Sequence, residues 1–282
     1  MNVNSRLRAQ IVKISVSGWI AHATKQLDAI GISSARLDAE LILAHSLHCR
    51  RTWLHAHGED EIGPHELEIA NARLDLRLVR APIAYIVGHK EFYGRRFHTT
   101  PAALIPRPDS EDIVTLVKSL PVDTKLPHLL DVGTGTGCLG ITIKLECPVY
   151  DITLSDISEA ALELARQNAK QLHAHVHVIQ SDLLGNIADI FDVIVANLPY
   201  VDRAWETSPE TIHEPNIALY ADDEGMGLIS RLLLESAEHI APHGYLILEA
   251  DPCQHVRIIN EASVCGYAHH VTRGYALALQ RI

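Results

Sequence analysis

Residues 128–138 read HLLDVGTGTGC, and the fold class follows from them. A short apolar run, too short for a helix, meets three glycines at alternate positions, Gly133, Gly135 and Gly137. Helical spacing follows over 137–146, so the stretch is a strand, a tight turn and a helix. Glycines at such a turn let a ligand approach the backbone beside a helix N-terminus. The alternation continues downstream. Strands are expected at DITLSD (151–156), HVHVIQSD (175–182), FDVIVAN (191–197), HGYLILEA (243–250) and YALALQ (275–280), and helices at 158–172, 225–240 and 254–264. Repeated strand–helix units predict an α/β fold with a doubly wound, mainly parallel sheet.

Upstream the pattern changes. Ser17 is placed to cap a helix carrying Trp19, Ile20, Ala23, Leu27 and Ile30, which Gly31 ends. Ser33 or Ser34 caps a second helix, with Leu37, Leu41, Ala44 and Leu47 on one face. Pro64 suits the first turn of a third, with Leu67, Ala70, Leu74 and Leu78 aligned. Three domains of different character result: a small helical domain at 1–80, a Pro-rich linker at 81–126 and the α/β domain at 127–282. Within the linker, IAYIVG, EFYG-RRF and ALIP read as short extended pieces around a Gly94 turn. Asp109 or Ser110 then caps a short helix with Ile113, Leu116 and Val117.

Charge is uneven along the 282 residues. Positions 1–120 hold 15 Lys+Arg against 13 Asp+Glu, and positions 121–282 hold 9 against 22. The acidic second part opposes direct binding to nucleic acid. No apolar run reaches bilayer length, and MNVNSRLRAQIVKISVSGW lacks the apolar core and small-residue cleavage site of a secretory leader. The five cysteines are scattered without a C-x-x-C pair, which indicates free thiols in a reducing compartment. A cytoplasmic protein is expected. The 18 histidines include His173, His175 and His177 at a strand start, but none falls at metal-ligand spacing, and no metal site is expected. Arg95, Arg96 and Arg107 form either a solvated face or a meeting point for an acidic patch of a partner.

Three further motifs carry chemistry. The second strand ends in Asp156, 21 residues after Gly135, and an acid there suits a bidentate grip on ribose hydroxyls. The G-x-G-x-G spacing departs from the dinucleotide fingerprint and favours S-adenosylmethionine over a nicotinamide cofactor. Ser181–Asp182–Leu183 ends the third strand, where Asp182 can accept from an adenine amino group and Leu183 can cover the ring. Asn197–Leu198–Pro199–Tyr200 follows the apolar strand DVIVA. An Asn oxygen and the next backbone carbonyl can accept both hydrogens of one planar NH₂ group, and an aromatic ring can stack on it. That arrangement turns a poorly nucleophilic nitrogen toward a methyl donor already activated as a sulfonium, so catalysis rests on orientation and electrostatics.

With these residues in view, the chain resembles the PrmC/HemK family of protein-(glutamine-N5) methyltransferases that modify peptide chain release factors. The resemblance runs over nearly the whole chain, through GISSARLDAELILAHSL, RLVRAPIAYIVGHKEFYGRRF, ALIPRPDSE, DVGTGTGC, SDIS, SDLL, NLPY and EPNIALYADDEG. It implies a class I S-adenosylmethionine-dependent methyltransferase domain preceded by a small helical substrate-recognition domain. It further implies cofactor binding through Gly133, Thr134, Gly135, Thr136, Gly137, Asp156, Asp182, Leu183 and Asn197. Catalysis and amide binding fall to Asn197, Leu198, Pro199 and Tyr200, with Phe92 and Arg107 near the site. The implied substrate is the glutamine of a mobile Gly-Gly-Gln loop on a release factor, acted on by a monomer. Competing readings are a sister enzyme acting on a ribosomal protein, an adenine-N6 nucleic-acid methyltransferase, and a non-catalytic S-adenosylmethionine-binding module. The chain departs from the family pattern at Leu198, where proline is usual, which is expected to loosen the loop. It departs again after Tyr267, where an Asp-rich loop is reduced to HHVTRG.

Overall fold

Successive side chains of each central strand point to opposite faces and are nearly all buried, so the sheet has two apolar faces. In β3 (His128–Val132), Leu129 packs into one core cluster and Leu130 and Val132 into the other. The same split holds in β6 (Phe191–Ala196), with Val193 and Val195 on one face and Ile194 and Ala196 on the opposite one. The computed structural model describes residues 13–122 and 124–282. The first twelve positions of the leader reading above therefore lie outside the described residues. The chain forms two units, one ending at Val87 and the other running from Gly88 to Ile282.

The first unit is helical: α1 (Val16–Ala29), α2 (Ala35–Ser46), α3 (Arg51–Ala56), α4 (Pro64–Leu78) and α5 (Ile83–Val87). Its core gathers Trp19, Leu27, Ile42, Leu43, Leu54 and Leu74. The Trp19 indole N–H donates to Asn71 Oδ1 at 2.8 Å, which ties α1 to α4. A buried Arg77–Asp38 pair at 2.7 Å joins α4 to α2. Ser15 rather than Ser17 caps α1, its hydroxyl accepting from the Gly18 N–H. The segment IAYIVG, expected to be extended, is helical over Ile83–Val87. Its first turn closes on the Pro82 carbonyl, and Ala84 and Val87 are buried. A five-residue apolar run does not distinguish the two conformations by periodicity.

The second unit begins with an antiparallel hairpin, β1 (His89–Phe92) and β2 (Arg95–His98), turned by Tyr93 and Gly94, both at positive φ. Next comes α6 (Glu111–Ser119), preceded by a single 3₁₀ turn at Pro108–Ser110. The remaining elements are β3, α7 (Cys138–Glu146), β4 (Asp151–Asp156), α8 (Glu159–Gln171), β5 (His177–Gln180), β6, α9 (Gly227–Ser236), β7 (Ile240–Glu249), α10 (His255–Val264), β8 (Tyr267–Arg273) and β9 (Ala276–Arg281). Strand order is β5-β4-β3-β6-β7-β9-β8; the first five are parallel and β9 runs antiparallel to both neighbours. All of the HHVTRG stretch but Gly274, read as a loop, lies in edge strand β8, whose residues after Tyr267 are mostly exposed and polar. Such composition protects a sheet edge and hides it from pattern reading.

Chain order reverses at β3, which lies between β4 and β6. A crevice opens at such a reversal beyond the carboxyl ends of the strands. The ends of β3, β4, β5 and β6 carry Gly133, Asp156, Ser181–Leu183 and Asn197.

Candidate functional site

The turn after β3 is held by a carboxylate that the sequence reading left unassigned. Asp131 is fully buried; its Oδ2 accepts from the Thr134 hydroxyl at 2.6 Å and the Gly140 N–H at 2.9 Å, while Oδ1 has no partner. Thr134 is thus a brace behind the turn, and the Thr136 carbonyl accepts from the buried Asn168 amide. Asn168 also pairs with both backbone groups of His98, so it fastens the β1–β2 hairpin to the turn. Gly133 has φ +69, and a Cβ there would lie 3.0 Å from Leu198 Cδ2. Only glycine fits both the conformation and the space.

Burial pushes the Asp131 carboxyl from its ordinary 3.8 up to about 6. The folded state therefore holds this proton more tightly than the unfolded chain does. Its stabilising contribution is complete below about pH 4 and is lost as pH rises through about 6. Relative to Asp131→Asn, the native chain should lose melting temperature across that window and run parallel above it. A difference between the two that stays flat with pH contradicts this.

Asp156, at the end of β4, has a partly buried carboxylate. Its Oδ2 accepts from Gly135 N–H and its Oδ1 from Ser158 N–H, both at 2.9 Å. Burial raises its pKa, and those backbone donors oppose the rise. One side chain thus fixes the glycine turn and the start of α8, and each oxygen keeps a lone-pair direction for a ligand hydroxyl.

A single cleft brings together Gly133, Gly135, Asp156, Asp182, Leu183, Asn197, Leu198 and Pro199. Thr134, Thr136, Gly137 and Tyr200 are not on its wall. Sequence reasoning missed Ala102–Leu104, Ile157, Ser158, Ala161, Pro215, Ile217 and Ala218, which also line it. Exposed Ile157 and Ile217 are apolar residues beside a polar site, a signal readable only once the loops are placed. Asp182 is paired with Arg231, whose Nη1 lies 2.9 and 3.1 Å from its two oxygens. A ligand amino group would compete with this exposed ion pair, which is weak enough to be displaced. Phe92, expected near the site, is 1% exposed and packs edge-on against Phe97 in the core of the second unit, away from the cleft wall.

The Asn197–Tyr200 segment is firmly seated. Leu198 is buried in the core on the α9 side of the sheet, so side-chain burial anchors the loop at the position where the family pattern has proline. Asn197 Nδ2 donates to Ser110 Oγ at 3.0 Å. The Tyr200 hydroxyl donates to Glu249 Oε1 at 3.2 Å, and Tyr200 does not line the cleft. Burial and the Glu249 charge raise the Tyr200 phenol, so it remains protonated. Gln254 Nε2 donates to the carbonyls of Tyr200 and Glu224 at 3.0 Å each.

Arg107 pairs with the buried Glu214 at 2.5 Å, and Glu214 also accepts from the Ile105 N–H. Those contacts clamp the Ile105–Arg107 segment to the 214–218 segment, which supplies Pro215, Ile217 and Ala218 to the cleft. Among the described residues, no cluster of His, Cys, Asp and Glu could hold a metal ion.

A mainly parallel sheet in this order, with a glycine turn after its central strand, defines a class I methyltransferase fold. Family profiles for a PrmC N-terminal domain and a methyltransferase small domain match residues 18–88 and 112–216. The chain is 35% identical to the release factor glutamine methyltransferase of Deinococcus radiodurans, covering 89% of this chain and 91% of that protein. It is 38% identical to the enzyme of the same name from Koribacter versatilis, over 83% and 87% of the two chains. The chain belongs to the release factor glutamine methyltransferase family. A methyltransferase structure from Pyrococcus furiosus shares the fold, with TM-score 0.52, 18% identity, and coverage of 75% of this chain and 97% of that one.

Proposed function

We propose that the chain transfers a methyl group from S-adenosylmethionine to the side-chain N5 of the glutamine in the Gly-Gly-Gln loop of a peptide chain release factor. The supporting observation is Asn197 at the end of β6, on the wall of the cleft shared with Asp156, with its amide nitrogen engaged by Ser110. Its Oδ1 is thereby available to accept from a substrate NH₂ group, and the Leu198 carbonyl is the second acceptor. Holding both N–H bonds directs the nitrogen lone pair out of its amide conjugation and toward the methyl donor. As the nitrogen's bond to the methyl carbon forms, the carbon–sulfur bond of the bound donor would break to leave a neutral thioether, and one N–H proton would pass to solvent water.

The cleft residues fit the cofactor. Asp156 accepts from ribose hydroxyls, Gly133 and Gly135 permit close backbone approach, and Leu183, Ile157 and Ala161 offer apolar surface to a base. Bound S-adenosylmethionine supplies an electrophilic methyl group, so no residue of this chain needs to act as a nucleophile. Tyr200, protonated and tied to Glu249, is a positioning group and not a base.

The helical unit carries none of these residues, and its role is recognition of the protein substrate. The chain acts as a monomer in the cytoplasm without binding nucleic acid directly. In support, no helix among the described residues is long and apolar enough to cross a membrane, and residues 121–282 are strongly acidic. With methyl-labelled cofactor, label should enter purified release factor. Label entering large-subunit ribosomal protein or RNA in its place would reassign the substrate.

A further inference from the structure

The loop that carries Asn197 runs for three residues, 197–199, between two fixed points. The first is Ala196, paired with Val132 on one side and Leu248 on the other. The second is Tyr200–Val201. The Val201 N–H donates to the Leu219 carbonyl at 3.1 Å, and the Val201 carbonyl accepts from the Ala221 N–H at 3.2 Å. The Tyr200 carbonyl accepts from Gln254 Nε2 at 3.0 Å.

Gln254 is 4% exposed and stands at the N-cap of α10, yet its side chain makes no capping bond. It joins three segments instead. Nε2 donates to the carbonyls of Tyr200 and Glu224, and Oε1 accepts from the Asp251 N–H at 3.1 Å. Only this orientation satisfies all three, because a flipped amide would set its oxygen against two carbonyls and its nitrogen against an N–H. The turn that shares Gln254 is strained. Asp223, Glu224 and Gly225 have φ of 57, 56 and 82. Two successive non-glycine residues at positive φ persist only where their surroundings hold them, as happens at functional sites. Gly225 lies so close to the loop that a Cβ would fall 2.0 Å from the Tyr200 carbonyl oxygen. Gln254 and Gly225 thus confine that carbonyl together.

We infer that Gln254 is a positioning residue for methyl transfer: by pinning the Tyr200 carbonyl it fixes the direction of the Leu198 carbonyl, the second acceptor for the substrate amide. The inference rests on the reading that Asn197 and Leu198 hold that amide. Pro199 stands between the two carbonyls, and its ring fixes φ, so few torsions separate them. Freeing the Tyr200 carbonyl lets the Leu198 peptide plane turn with it. Gln254 does not line the cleft, so its effect reaches the substrate only through the loop.

The test is single-turnover methyl transfer by the full-length enzyme to release factor, alongside calorimetric S-adenosylmethionine binding and melting temperature. Gln254→Glu keeps the shape and removes the donors, and Gln254→Met removes them without adding charge. Each should lower the transfer rate about 10- to 100-fold and change cofactor Kd by less than about twofold. In an Asn197→Ala background the same substitutions should cost less than about threefold more, because both residues serve one grip on the amide. A purely structural role gives equal losses of rate and cofactor affinity, or losses that multiply in full with Asn197→Ala, and either result overturns the inference. Failure of both Gln254 variants to fold also marks a structural residue and overturns it. So does a native rate in either folded variant while Asn197→Ala is slowed as expected. A native rate in Asn197→Ala overturns the underlying reading of the amide site, and the inference with it.

Discussion

Asn197→Ala should reduce methyl transfer to the release factor by about 100-fold or more, while cofactor affinity falls by less than about threefold. The two effects separate because Asn197 sits at the end of β6, held by Ser110, whereas the turn after β3 is held by Asp131 and Asp156. Alanine removes the acceptor that orients the substrate nitrogen and leaves the glycine turn in place. The loss should appear in kcat in single-turnover assays with saturating cofactor. A variant that turns over at the native rate would mean that the amide is held elsewhere.

Asp156→Ala should have the opposite signature. It removes a charged acceptor for ribose, a class of bond worth about 1.5–3 kcal/mol, or about 10- to 150-fold in affinity. It also releases the N–H groups of Gly135 and Ser158 that the carboxylate holds at 2.9 Å, so the turn loses its shape as well. The effect should therefore lie at the upper end of that range. Asp156→Asn, which retains one acceptor oxygen, should fall between alanine and the native enzyme. Calorimetric titration with S-adenosylmethionine measures both, and unchanged affinity in the alanine variant would place the ribose on other residues.

The sequence made Gly133, Asp156 and Asn197 legible as one site for a topological reason. Each follows an apolar run too short for a helix, and parallel connections bring such strand ends to one edge. Leu183 belongs to the same pattern. What stayed hidden depends on side-chain direction. Ser110 has the spacing of a helix cap, but its residue lies in a 3₁₀ turn with φ −66 and ψ −15, and the hydroxyl turns to Asn197. Glu249 ends a strand whose preceding residues, Tyr245–Leu248, are all buried, and nothing in GYLILEA marks its carboxylate as facing Tyr200. Asp131 is visible in DVGTGTGC as part of a motif, but its role as a buried brace comes only from the geometry of Thr134 and Gly140. The ion pair of Asp182 with Arg231 joins residues 49 apart, a distance local patterns do not span.

Delivery of a methyl group to one glutamine nitrogen of a release factor leaves a product that can be located residue by residue. Fragment mass spectrometry of the factor after incubation with this enzyme and S-adenosylmethionine tests it most directly. The expected product carries a single methyl on the side chain of the Gly-Gly-Gln glutamine, and none when that glutamine is replaced. A methyl on any other residue, or a factor left unmodified while a ribosomal protein or nucleic acid is labelled, would contradict it.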